Sequence, residues 1–348
     1  MEQPFYICTM RLLLYVFAVV LCLAGCNDTK EQQGVSSNSQ KMDSLKANNP
    51  MQELNERIKK APNNSVLYFD RAGLHLSASS IEDAINDLDR AIKLDSTNSN
   101  FFLLKGDIFF MQKKTREAKA LLDKSIELDG ENIDAHLKLA EMYFYSDKYQ
   151  ESINSINNAL RVDKFHAKAY FQKGMTYKYF GDTAKAVSSF QTAIEQNSDY
   201  YDAHLQLGVI YASINDPMAI AYYNNALQIK PTSIEAIYNK SLFLQENGQP
   251  EQAVKGYQLM TKIDPSNYQA YYNMGYIKLT VNHDLDSALI RFNQVIALNQ
   301  VYYPAYYNIG LCHEQKGDLA KAKINYQATL KLKPDYDLAA LGLSRVMN

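Results

Sequence analysis

The stretch Ala270-Tyr271-Tyr272-Asn273-Met274-Gly275-Tyr276, AYYNMGY, decides how this chain of 348 residues folds. It returns with small changes as AIYNKSL from Ala236 and as AYYNIGL from Ala305. Neighbouring residues of an α-helix are rotated by about 100°, so Tyr271 and Tyr272 cannot share a face. Tyr271 lies with Gly275 on one stripe, and Tyr272 lies with Tyr276 and Leu279 on another. One tyrosine per helix fills a core. The second tyrosine and the asparagine after it need a separate reason.

The small residue near the end of the motif recurs at Ala72, Gly106, Ala140, Gly174, Gly208, Ser241, Gly275 and Gly310. Eleven to thirteen residues later comes a second small residue: Ala84, Ala118, Ser152, Ala186, Ala219, Ala253, Ala288 and Ala322. Four further on stands a large apolar one: Leu88, Leu122, Ile156, Phe190, Tyr223, Tyr257, Phe292 and Tyr326. Proline closes the unit at Pro231, Pro265 and Pro334. The period is 34 residues, with one residue lost near Asn215-Asp216-Pro217 and one gained near His283, which predicts local bends at those two places.

Within one period, Tyr170, Lys173, Gly174 and Tyr177 fall at i, i+3, i+4 and i+7 along a helical face. A second helix is expected from Thr183 to about Gln196, carrying Ala186, Phe190 and Ala193, with Gly181-Asp182 as the turn. The small residue of the first helix admits the second at close range. A single pair is too thin to bury its own faces and must stack on its neighbours.

The pattern resembles the tetratricopeptide repeat (TPR), whose signature is W-x2-L-G-x2-Y, A-x3-F, then P. The resemblance covers residues 63–336 as eight units. It implies an all-α fold, an α-α superhelix or TPR solenoid of about eight helix-turn-helix repeats within residues 51–348. A leading half-unit ends at Pro62, and a capping helix occupies residues 337–348. The tryptophan place holds Tyr68, Phe102, His136, Tyr170, His204, Ile237, Tyr271 and Tyr306, which keeps the bulk.

Composition agrees with helices: 26 tyrosines, no tryptophan, 14 glycines and 9 prolines. Lys+Arg 36 against Asp+Glu 38 gives a net charge of -2, without the basic footprint that nucleic acid requires. Cysteines stand at Cys8, Cys22, Cys26 and Cys312, so the body holds one thiol and no internal disulfide.

The N-terminus reads as an address. Arg11 precedes the apolar run Leu12 to Ala24 and then Gly25-Cys26, the order of a secretory signal peptide. The run falls short of the ~20 apolar residues of a membrane span. The ending Leu23-Ala24-Gly25-Cys26 resembles the bacterial lipobox, which implies residues 1–25 as signal peptide and Cys26 as the acylated first residue of the mature chain, palmitate among its fatty acids. Met10 is an alternative start to Met1. Each buried methylene adds ~0.8 kcal/mol of membrane affinity. The resemblance further implies a Gram-negative envelope, and Asn27 directly after the cysteine, with Asp28 next, points to the outer membrane. Residues 26–50 then read as the lipidated cysteine and a flexible tether, whose ~24 coil residues reach ~25–30 Å.

The chain carries no HExxH, CxxC, GxSxG or Gly-rich phosphate loop. His136 and His204 take the bulky aromatic place, His75 and His313 the later aromatic place, and all four read as packing substitutes. His166 falls at a repeat junction and His283 in a turn. Cys312 reads as a small core residue, and Asp87, Asp89 and Glu151 as solvated helix faces. The expectation is a non-enzyme with no cofactor, no metal and no small-molecule substrate.

The place of Tyr272 reads Phe69, Leu103, Leu137, Phe171, Leu205, Tyr238, Tyr272 and Tyr307 along the units. The next place reads Asp70, Leu104, Lys138, Gln172, Gln206, Asn239, Asn273 and Asn308. In the superhelix implied by the resemblance this stripe lines the concave surface. Family members that hold extended peptides through a ladder of asparagines look similar, because an amide both donates and accepts as a peptide backbone requires. The candidate groove is therefore Phe171, Tyr238, Asn239, Tyr272, Asn273, Tyr276, Tyr307 and Asn308. The basic carboxylate clamp of chaperone-binding relatives is unmatched. Packing between repeats is the competing explanation for the same residues. Two functions follow: a lipid-anchored scaffold that binds a protein or extended peptide in its groove, or a structural subunit docked by its convex or edge surface in an outer-membrane machine.

Overall fold

The computed structural model describes residues 50–347. The signal peptide, Cys26 and the tether up to residue 49 lie outside the described residues, and Pro50, expected as the last tether residue, is the first residue of a helix. The described residues form eighteen α-helices and no strand. Helix α1 (Pro50–Lys60) leads into eight pairs of helices along the sequence. First come α2 (Ser65–Ser77) packed on α3 (Ile81–Leu94) and α4 (Ser99–Met111) packed on α5 (Thr115–Leu128), after which α6 (Ile133–Tyr145) and α7 (Tyr149–Val162) follow in sequence. There follow α8 (Ala167–Phe180) with α9 (Thr183–Gln196), α10 (Tyr201–Ser213) with α11 (Met218–Ile229), and α12 (Ile234–Glu246) with α13 (Pro250–Ile263). The last pairs are α14 (Tyr268–Thr280) with α15 (Leu285–Leu298) and α16 (Tyr303–Gln315) with α17 (Leu319–Leu332), closed by α18 (Asp337–Met347). The second helix of the fourth unit spans the residues expected of it.

Packing divides the chain into two compact units, one up to Met142 and one from Tyr143. In the first, Ala72, Ala84, Leu88 and Ile108 form one core cluster, and Leu54, Ile58 and Leu67 another. In the second, the large residue of each second helix is the centre of its repeat: Phe190, Tyr257, Phe292 and Tyr326 are fully buried and Tyr223 nearly so. Each such ring contributes roughly 1.5–3 kcal/mol by burial.

Those rings sit where the small residues leave room. A Cβ at Gly174 would stand 2.6 Å from the ring carbons of Phe190. The sixth unit swaps the arrangement. Its first helix carries Ser241, whose hydroxyl donates to Ile237 O at 2.7 Å, and the clearance moves to Gly256 on the facing helix. A Cβ at Gly256 would collide with Ser241 Oγ.

The turn inside every pair holds one residue of positive φ: Ser79, Lys113, Asp147, Gly181, Asn215, Gly248, His283 and Gly317. Gly181 closes α8 with φ 91°, and Asp182 caps α9 by accepting from Lys185 N. Only three of the eight are glycine, which hid the regularity in the sequence. The lost and gained residues are absorbed beside this position, by a 12-residue α11 and by a longer turn around His283.

The place of the missing tryptophan has its own device. The hydroxyls of Tyr68, Tyr170 and Tyr306 donate to the carbonyl six residues earlier, on Pro62, Lys164 and Gln300, at 3.0–3.1 Å. His136 and His204 reach Gly130 O and Ser198 O with Nε2 at 2.9 and 3.0 Å. A carbonyl only accepts, so Nε2 carries the proton in both rings. The polar tip of each ring thus fastens the junction preceding its helix.

One expectation fails in the first unit. Asp87 is not a solvated carboxylate but 6% exposed, held by Arg71 through Nε at 2.7 Å and Nη2 at 2.6 Å. His75 Nε2 lies 3.6 Å away. A buried carboxylate must be paired, and Arg71 stands on the facing helix at the right height. Its own pKa is raised by that bond.

Candidate protein-binding face

All eight groove candidates belong to the second unit, on α8, α12, α14 and α16. They divide by what they touch. Phe171 is half-buried, 5.6 Å from Phe190 of its own repeat and stacked 5.1 Å from Tyr200 of the next. Tyr272 makes the corresponding contacts, 5.7 Å from Phe292 and 5.2 Å and edge-on from Tyr302, and Tyr307 does so with Tyr326 and, again edge-on, Tyr336 at 5.8 and 5.3 Å. Tyr238 lies 6.4 Å from Tyr257. The aromatic row therefore also makes the seam between repeats. Its second half, Tyr200, Tyr302 and Tyr336, was not among the candidates, although Tyr302 and Tyr336 stand one period apart.

The amides differ more sharply. Asn308 is 4% exposed, and its Nδ2 donates to the Tyr272 hydroxyl at 3.1 Å. The Tyr257 hydroxyl donates to Gln245 Oε1 at 3.1 Å, and the Asn273 side chain partly offsets the rise that burial gives this phenol. Asn239 is half-buried and makes no side-chain hydrogen bond among the described residues. Tyr276 is 39% exposed and stacks 6.5 Å from Tyr272. Asn239 and Tyr276 are thus the candidates with free recognition chemistry, while Asn273 and Asn308 are engaged in holding tyrosines.

The amide position continues upstream as Gln172 and Gln206. Gln172 Oε1 is buried with no donor, and Gln206 Oε1 accepts from Lys178 Nζ at 2.7 Å. Burial pushes the Lys178 ammonium down, against the raising charge of Glu235. Glu235 is itself raised, first by burial and then by Asp202. The first helices of the fourth and sixth repeats thus carry charge beside the amides, half-buried at Lys178 and exposed at Glu235, and the eighth closes with Glu314 held by Arg345 Nε and Nη2 at 2.6 and 2.9 Å. Burial pushes Tyr272 and Tyr302 above the ordinary phenol range and Tyr200 up to about 12, which keeps all three as neutral hydrogen-bonding groups. Cys312 is fully buried and pushed up to about 11 by burial, far from a reactive thiolate.

Among the described residues no group of three His, Cys, Asp or Glu side chains is placed to hold a metal. No described helix is long and apolar enough to cross a membrane.

The comparisons agree with this geometry. Residues 167–200 and 303–336 match the family model described as tetratricopeptide repeat. Residues 77–159 match the model described as anaphase-promoting complex, cyclosome, subunit 3. The C-terminal part of a TPR repeat-containing protein from Cytophaga hutchinsonii superposes with TM-score 0.61 at 17% identity, over 69% of this chain and 99% of that one. The pilF protein of Pseudomonas aeruginosa does so with TM-score 0.50 at 19% identity, over 59% and 93%. At such identities the likeness is one of fold. No curated protein sequence matches the chain. With two matching repeats within its second unit and helices in the same order among the described residues, the chain folds as a tetratricopeptide-repeat solenoid.

Proposed function

We propose that the chain is a non-enzymatic interaction scaffold, tethered through acylated Cys26 to a bacterial outer membrane, that binds a protein or extended peptide on the first-helix face of its C-terminal repeats. The observation that carries the reading is the pairing of Asn239, an amide with both functions free, with the exposed ring of Tyr276 on the same row of helices. A rigid amphipathic ring and a free amide are what an extended backbone and its side chains need. Tyr238, Tyr272 and Tyr307 shape the surface from below, and Asn273 and Asn308 hold the tyrosines in place.

A second reading has its own observation. Ile290 on α15 and Ile324 on α17 stand 34 residues apart at the same outward position, 60% and 62% exposed. Earlier repeats place Asn86, Asn154 and Ser188 there. This stripe suits a subunit docked permanently by its second helices.

Photo-cross-linkers placed at Tyr276 and at Ile290 in the cell separate the two. Specific adducts from position 276 with none from position 290 support the groove, and the reverse supports docking by the second helices. The anchor is tested with Cys26→Ala, which is expected to leave the membrane fraction. Retention there would show that acylation is not what holds the protein.

A further inference from the structure

Helix α18 repeats the first helix of a pair, and no second helix follows it among the described residues. Ser344 stands 34 residues after Gly310 and Leu341 34 after Tyr307, the two places that in α16 meet Tyr326 of α17. In α18 both places are exposed, Leu341 at 60%, together with Leu338 at 42% and the small Ala340. Ala339 and Gly342 face the fold and are buried. A repeat array needs a polar outer face on its terminal elements. Helix α1 has one, with Glu53, Glu56, Arg57 and Lys59 exposed, whereas the middle of the α18 face is apolar.

The residues of that face are arranged to receive a copy of themselves. At about 100° per residue, Asp337 lies about 40° to one side of Leu341 and one turn before it, and Arg345 about 40° to the other side and one turn after. Leu338 and Ser344 lie about 60° to either side, three residues before and after. A two-fold axis through Leu341 exchanges both height and side. It therefore sets Asp337 of each copy against Arg345 of the other, and the large Leu338 against the small Ser344, with the two Leu341 side chains meeting on the axis. A parallel copy would instead set Asp337 against Asp337. Self-complementarity of this kind is what an isologous two-fold interface requires.

The charges are available for the pairing. Asp337 is exposed and makes no hydrogen bond or ion pair among the described residues. Arg345 gives Nε and Nη2 to Glu314 and keeps half of its side chain exposed, and a guanidinium has further donors for a second carboxylate. The neighbouring Lys333 and Asp335 pair with each other.

We infer that two copies of the chain pair antiparallel through α18, about a two-fold axis at Leu341. One helix on one helix is a small interface, so the pair is weak and is captured best by cross-linking. It is separate from the Asn239–Tyr276 face and does not rest on that reading.

The test introduces single cysteines into the full chain and oxidises them in intact cells, with the unsubstituted chain as background. Cys312 is fully buried and takes no part. Helices packed about 8–10 Å apart bring facing Cα atoms within disulfide range. Leu341→Cys is therefore expected to give about tenfold more disulfide dimer than Ile214→Cys, whose site is 64% exposed on α10. In differently tagged chains, Asp337→Cys and Arg345→Cys are expected to link to each other but not to themselves, since like positions lie about 12 Å apart along the axis. Asp337→Lys, which sets an ammonium against Arg345, is expected to lower the Leu341→Cys dimer about fivefold with helicity unchanged. A Leu341→Cys dimer no higher than that of Ile214→Cys overturns the inference, as does self-linking of Asp337→Cys equal to its linking with Arg345→Cys. A photo-cross-linker at position 341 that captures a different protein while Leu341→Cys stays monomeric also overturns it, and assigns the face to that protein.

Discussion

Asn308 and Tyr272 are 36 residues apart in sequence and joined by one hydrogen bond, Nδ2 to hydroxyl, at 3.1 Å. The amide is 4% exposed, and burial raises the pKa of the phenol it serves. Removing the amide leaves a buried hydroxyl without that donor, which costs about 1–3 kcal/mol. Asn308→Ala is therefore expected to destabilise the protein by that amount in urea denaturation. Asn239→Ala, which breaks no internal bond, should stay within about 0.5 kcal/mol of wild type. Equal effects from the two would contradict the division of the asparagine row.

Ser241 and Gly256 are a matched pair in the sixth repeat. Gly256→Ala drives a methyl group onto the serine hydroxyl and is expected to cost about 1–3 kcal/mol as an overpacking change. Adding Ser241→Gly should recover at least half of the loss. A double-mutant cycle with no coupling would show that the two helices do not meet there.

Lys113 has φ 62° where other repeats have glycine. The left-handed region costs a residue with a Cβ roughly 1 kcal/mol, so Lys113→Gly is expected to stabilise by about 0.5–1 kcal/mol. Gly181→Ala, at φ 91°, should destabilise by a similar amount. Melting temperatures moving in the same direction for both would refute the common turn.

The buried tyrosines predict an alkaline limit. Burial raises Tyr223, Tyr257, Tyr272, Tyr302 and Tyr326 above the usual phenol value, and Tyr200 to about 12. The unfolded chain ionises these groups at pH ~10, so the stability they confer is complete below that pH and is lost as pH rises through and beyond it. Thermal melts should be level between about pH 7 and 9 and fall steeply above about pH 10. Tyrosinate absorbance at 295 nm should show these groups ionising only as helicity disappears. All 26 tyrosines titrating together at pH ~10 in a folded chain would contradict the burial.

The helix pairs were legible because each residue of the period has a geometric duty: small at Gly174, large at Phe190, small again at Ala193. The turn was legible only where it used glycine. Lys113 and Ser79 adopt the same left-handed backbone with nothing local to announce it, since the stacked helices impose it. The face was half legible. Periodicity put Tyr272 and Asn308 in adjacent places of the repeat, but whether such a place meets solvent or the next repeat depends on the residues of that repeat. Tyr302 supplies the cover for Tyr272, and no rule of spacing within a single helix contains it. Asp87 was misread for the same reason, because its partner Arg71 is contributed by the other helix.

The first-helix face of the C-terminal repeats is proposed to bind a protein partner. The most direct measurement compares cross-linked recovery of partners from membranes by wild type and by Asn239→Ala/Tyr276→Ala, two positions that carry little of the fold. Melting and helicity are expected to be preserved while specific recovery falls about tenfold. The same partners recovered in the same amounts by a folded double variant would contradict it.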